Sequence, residues 1–100
     1  MAKLQKRTAD AVELLDSTLK AALAEKLQDY IPQPHKQKGE ICLAETRSCL
    51  AEIEVCLQDG WCGHARTIQT NAKAKVEAAV AMTTKLQTLI DAAEDGVNEQ

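Results

Sequence analysis

Residues 42–62 read CLAETRS-CLAEIEV-CLQDGWC, and this stretch decides the fold. Cys42, Cys49 and Cys56 recur at every seventh residue. Each is followed by a leucine (Leu43, Leu50, Leu57) and, three residues on, by an acid (Glu45, Glu52, Asp59). A seven-residue apolar period belongs to a helix, because two turns return the chain to one face. A strand alternates every second residue and does not produce it. On a wheel of about 100° per residue, the leucines, Thr46 with Ile53, and the cysteines form three adjacent rows of one arc. This predicts leucine and isoleucine at the centre of a packing face, cysteines at its edge and the acids beyond as a solvated rim. A second, weaker stripe lies opposite: Ile41, Ala44, Ser48, Ala51 and Val55. A helix that lines one core does not need it. The helix is therefore expected to sit between two neighbours or to offer a surface to a partner.

Working outward, Gly60 ends this helix, since glycine tolerates the left-handed conformation past a helix end. Upstream, Leu4, Thr8, Ala11, Leu15, Leu19, Ala22, Leu23, Leu27 and Tyr30 step along one face and predict a helix over about 3–30. Pro32 and Pro34 are expected to stop it, and 31–39 reads as a loop. The cysteine helix then covers about 40–59. Downstream, Ala65, Ile68, Ala72, Val76, Ala79, Thr83, Leu86, Ile90 and Ala93 predict a third helix over about 63–94. Residues 95–100 read as a frayed acidic tail.

The expected architecture is one all-α domain spanning 1–100, an antiparallel three-helix bundle. Its first and third helices form the long pair and the second packs across them. At 1.5 Å per residue the third helix would reach about 48 Å and the second about 30 Å. The far half of the third helix would then need the first helix, a partner or another copy to cover it.

Composition agrees with thin, helical packing. The chain has 100 residues, no Phe, one Trp and one Tyr, so the core must be built from Leu, Ala, Ile, Val, Cys and Met. Four Gly and two Pro are too few for the turns of an all-β fold. The net charge of −3 argues against wholesale phosphate binding, so no direct nucleic-acid contact is expected. Charge alternates along the chain: +2 over 1–39, −4 over 40–60, +3 over 61–90 and −4 over 91–100. No apolar run approaches the ~20 residues of a membrane span. The start, MAKLQKRTADAV, lacks the apolar stretch of a secretory signal. Four cysteines without such a signal fit a reducing cytoplasm with free thiols.

The thiols pose the main chemical question. Residues seven apart on a helix are separated by about 10.5 Å, beyond the ~7 Å limit of a disulfide. Cys42, Cys49 and Cys56 are therefore unable to bridge one another within the helix, and no two of them can share a zinc. Glu45, Glu52 and Asp59 are as widely spaced, too far for an acid–base pair. The one metal-like cluster is Cys56, Cys62 and His64 around Gly60, with His35 as a fourth donor. Its C-x5-C-x-H spacing lacks the short paired CxxC of structural zinc sites, so no cofactor and no metal are expected. A Cys–His nucleophile at Cys62 and His64 lacks a glycine loop to stabilise an oxyanion, and no enzymatic activity is expected. Trp61 reads as a plug over the bundle end or as an anchor for a partner, with His64 and Arg66 beside it.

The leading functional expectation is a non-enzymatic protein-binding module. Glu45, Glu52, Glu54, Asp59, Trp61, His64 and Arg66 are its candidate contacts, and a larger protein or ribonucleoprotein complex is the partner. In size and acidic character the chain resembles small phage-encoded inhibitors, including anti-CRISPR proteins. The resemblance implies an inhibitor that occupies a surface of a nucleic-acid-handling complex such as a CRISPR effector. It rests on no motif and transfers no residue roles. The alternatives are a self-assembling helical protein, a homodimer through the heptad seam and the long third helix, and a thiol or zinc sensor at the turn after the second helix.

Overall fold

The computed structural model describes residues 2–59 and 65–98, leaving aside the side chains of Asp59 and Asn98. Among them are three α-helices: α1 (Ala2–Ala22), α2 (Gln33–Asp59) and α3 (Ala65–Asn98). A 3-10 turn, Glu25–Leu27, lies between α1 and α2. Each helix packs on both others, giving an all-α three-helix bundle 57 Å long and about 20 Å across. The run is up-down-up, so α2 is antiparallel to both neighbours and α1 lies parallel to α3. Leu4, Ile53 and Ala72 meet near one end. Leu19 and Leu86 both close on Gly39 toward the other.

The path from α1 to α2 differs from the sequence expectation. Helix α1 stops at Ala22 rather than near Tyr30, and Ala24 takes an extended ψ of 138°. The chain turns early because Leu27 and Ile31 fold inward over the bundle end, where both are buried. A helix continued to Tyr30 would have carried them away along the axis. Most of the stretch 31–39 is helix rather than loop. Helix α2 begins at Gln33, and Pro34 lies in its first turn, where a missing N–H costs nothing and a preset φ helps. Gly39 is buried within α2. A Cβ there would come within 3.0 Å of Leu19 Cδ1 and 3.2 Å of Leu86 Cδ1, so glycine serves close helix approach, not a turn.

Two further expectations change with it. The long pair is α2 and α3, with 27 and 34 residues against 21 in α1. The far half of α3 is covered within the chain, since Leu27, Ile31, Ile90 and Ala93 share one core cluster with Val97 against it. Residues 95–98 are helical, not frayed, and Gly96 lies under the Tyr30 ring.

The core also takes in threonines. Thr8, Thr46 and Thr83 are buried, and each hydroxyl donates to the carbonyl four residues back (Leu4, Cys42, Ala79) at 2.7 Å. That bond satisfies the hydroxyl without a second side chain, so threonine can hold a seam position. Lys36 is buried too, its ammonium turned to the Gln28 carbonyl of the connecting segment at 3.5 Å.

Candidate functional site

Helix α2 carries most of the residues that the sequence singles out. Its buried rows are not centred as expected. Thr46 and Ile53 are fully buried and form the centre of the inward face. Leu43, Cys49 and Cys56 are buried beside them. Leu50 is only half-buried and Leu57 is 38% exposed, so the leucine row is a flank rather than the centre.

Ion pairs show which neighbour each flank meets. Beyond the leucines, Arg47 pairs with Asp16 of α1 at 3.3 Å. Beyond the cysteines, the Lys75 ammonium of α3 donates to Glu45 Oε2 at 2.6 Å. The leucine flank therefore faces α1 and the cysteine flank faces α3. Leu4 lies level with Ile53.

Burial pushes the Cys42 and Cys49 thiols up from their ordinary value; nearby Glu45 and Glu52 act in the same direction. Both are therefore protonated and poorly nucleophilic at neutral pH. The hydrogen bond to Glu45 holds the Lys75 ammonium above its ordinary value. None of Cys42, Cys49 and Cys56 is in a disulfide. Among the described residues no group of three or more His, Cys, Asp or Glu converges as a metal site. Trp61, Cys62 and His64, the side chain of Asp59, and with them the proposed Cys56–Cys62–His64 cluster, lie outside the described residues. His35 Nδ1 is buried at the start of α2 without a hydrogen-bond partner.

The second stripe of α2 points to solvent. Ile41 is 59% and Val55 55% exposed, with Ala44, Ser48 and Ala51 exposed between them. Carboxylates border it on both sides: Glu45 and Glu52 toward α3, Glu40 and Glu54 toward α1, all exposed. Of the acids named from the sequence, Glu45 is already held by Lys75, while Glu52 and Glu54 reach solvent. Arg66 is exposed in the first turn of α3.

A second surface escaped the sequence reading. Between the parallel α1 and α3 runs a groove lined by Arg7, Asp10, Ala11, Leu14, Val76 and Val80. Leu14 and Val80 stand 54% and 49% exposed on its rims. Its end toward the helix N-termini is bounded by Lys3, Arg7, Gln69 and Lys73. The available signal was two large apolar residues just off the seam, Leu14 beside Leu15 and Val80 beside Ala79.

The chain matches no protein-family model, no curated protein and no solved structure. What defines it is its architecture, a three-helix bundle with an acid-bordered apolar face on one side and a partly basic groove on the other. Among the described residues no helix is long and apolar enough to cross a membrane.

Proposed function

We propose that this chain is a non-enzymatic protein-binding module, an inhibitor or adaptor that occupies a surface of a larger protein or ribonucleoprotein complex. One observation carries the reading: the outward stripe of α2, with Ile41 and Val55 more than half exposed and Glu52 and Glu54 beside it. Apolar side chains that contribute nothing to their own core, repeated at helical spacing, form the seam by which an amphipathic helix docks. The bordering carboxylates favour a basic partner groove of the kind that faces nucleic acid, and they steer encounter. This keeps the inhibitor reading and moves its centre from the turn after α2 to the outer face of α2. Cys42 and Cys49, protonated and partly or fully buried, suit a reducing cytoplasm and are packing residues here.

The test is affinity capture from host extract with the wild-type chain and with the pair Ile41→Lys and Val55→Lys, read by mass spectrometry. A stoichiometric partner is expected with wild type and lost with the variant, whose melting temperature stays unchanged. Equal capture by both would remove the α2 face from the proposal.

A further inference from the structure

The two exposed faces match each other. Leu4 meets Ile53 and Ala72 at one end, and Leu19 and Leu86 meet at Gly39 toward the other. Counting from these anchors gives the height of every residue along the bundle. Leu14 and Val80 on the groove rims lie at the height of Ala44, one turn from Ile41. Arg7, Lys73 and Lys3 lie at the heights of Leu50, Glu52 and Glu54. A copy displaced sideways without sliding along the axis would set its Ile41–Ala44 segment over Leu14 and Val80. Its Glu52 and Glu54 would then stand over the basic end of the groove. Asp10, the acid that lines the groove, meets no free acid at that level, since α2 presents Ser48 there and Glu45 is held by Lys75.

From this register we infer that the α2 outer face of one copy seats in the α1–α3 groove of the next, as a fourth helix antiparallel to both. The α2 stripe and the inward row of Thr46 and Ile53 are about 180° apart on the helix, at about 100° per residue. The α2 face and the groove are therefore on opposite sides of the bundle. Such a contact is heterologous and does not close on itself, so association continues past the dimer. It uses neither the cysteine seam nor the far end of α3, both of which are occupied within the chain. It also needs no outside partner, so it is tested on the purified chain and stands or falls separately from the inhibitor reading.

The experiment is sedimentation of the full chain with two complementary variants. Leu14→Glu with Val80→Glu spoils the groove; Ile41→Lys with Val55→Lys spoils the α2 face. Wild type is expected to show a weight-average mass that rises with concentration beyond that of a dimer and falls when salt is added. Each variant alone is expected to be a monomer with wild-type helicity and melting temperature. An equal mixture restores one good face and one good groove, so it forms a dimer and nothing larger. Reversing Lys73→Glu should weaken assembly, and Glu52→Lys in the same chain should restore it. If the glutamate pair lowers the melting temperature, Leu14→Ser with Val80→Ser takes its place. A monomeric wild type at high micromolar concentration overturns the inference. So does a mixture that fails to associate. A groove variant that assembles like wild type would instead indicate pairing of α2 with α2.

Discussion

The leucine and cysteine columns of α2 share one period and lie one residue apart, yet they are buried from opposite ends. Leu43 is buried, Leu50 half-buried and Leu57 exposed; Cys42 is half-buried, Cys49 and Cys56 buried. Equal spacing gives equal rows only if the neighbours pack equally closely at every height. The leucine column faces α1. The cysteine column faces α3, the longest helix. A repeat therefore specifies which residues lie in line, while the packing of the adjacent helices at each height decides how much each one buries.

The comparison breaks most sharply at its centre. Ile53→Asp should abolish cooperative unfolding in circular dichroism, because it strands a charge among Leu4 and Ala72 at a cost of several kcal/mol, by about the scale for burying unpaired charge. Leu50→Asp should destabilise clearly less, and Leu57→Asp should melt within a few degrees of wild type. If Leu57→Asp behaves like Ile53→Asp, the flank assignment is wrong. Truncation sharpens the same gradient. Leu43→Ala should cost about 2–5 kcal/mol in urea unfolding and Leu57→Ala less than about 1 kcal/mol, following the dependence of such losses on burial.

Gly39→Ala tests the height at which α1 and α3 close on α2. The added methyl should cost about 1–3 kcal/mol through overpacking against Leu19 and Leu86. The intrinsic helical advantage of alanine offsets up to about 1 kcal/mol of that. A stabilised variant would show that the three helices approach less closely at this level. Cys49→Ala should be milder, about 1 kcal/mol, the centre of ordinary single substitutions.

The smallest effect is a pH dependence on the cysteine flank. Burial raises the Cys42 and Cys49 thiols in the folded chain, so above the ordinary value of about 9.0 the unfolded chain loses protons that the folded chain still holds. Stability is then full below that pH and declines as pH rises through the folded values. Lys75, held up by Glu45, adds a loss of the same sign at higher pH. Urea titrations across the alkaline range should show the decline, and Cys49→Ala should flatten it. No difference between the two would remove the thiols as its source.

Much of this was legible in the residues. The faces of α1 and α3 were readable because Leu4, Thr8, Ala11 and Leu15, like Ala72, Val76, Ala79 and Leu86, step by three and four and are buried as that spacing requires. The stretch from Leu23 to Gly39 was misread because each of its residues has two local meanings. Leu27 fits a continuing helical face equally well as a residue folded over an end. Pro34 stops a helix or opens one, and Gly39 marks a turn or a close crossing. Only the positions of Leu19 and Leu86 around Gly39 choose between them. Of the candidate interaction residues, the α2 stripe was visible as a pattern but its exposure was not, and the groove was not visible at all. A groove between α1 and α3 depends on how two distant segments are set side by side.

The sequence by itself determined the helical class, the single bundle, the seam positions and the existence of two apolar stripes on α2. Those follow from short-range periodicity, a property of neighbouring residues on one helix. The tertiary structure decided which stripe was covered, where α1 ended and α2 began, and which flank met which helix. It also decided that the acid-bordered face and the basic groove stand at matching heights on opposite sides. These depend on helix lengths and relative heights, which are fixed only when Gly39, Leu19 and Leu86, or Leu4, Ile53 and Ala72, come together across the bundle.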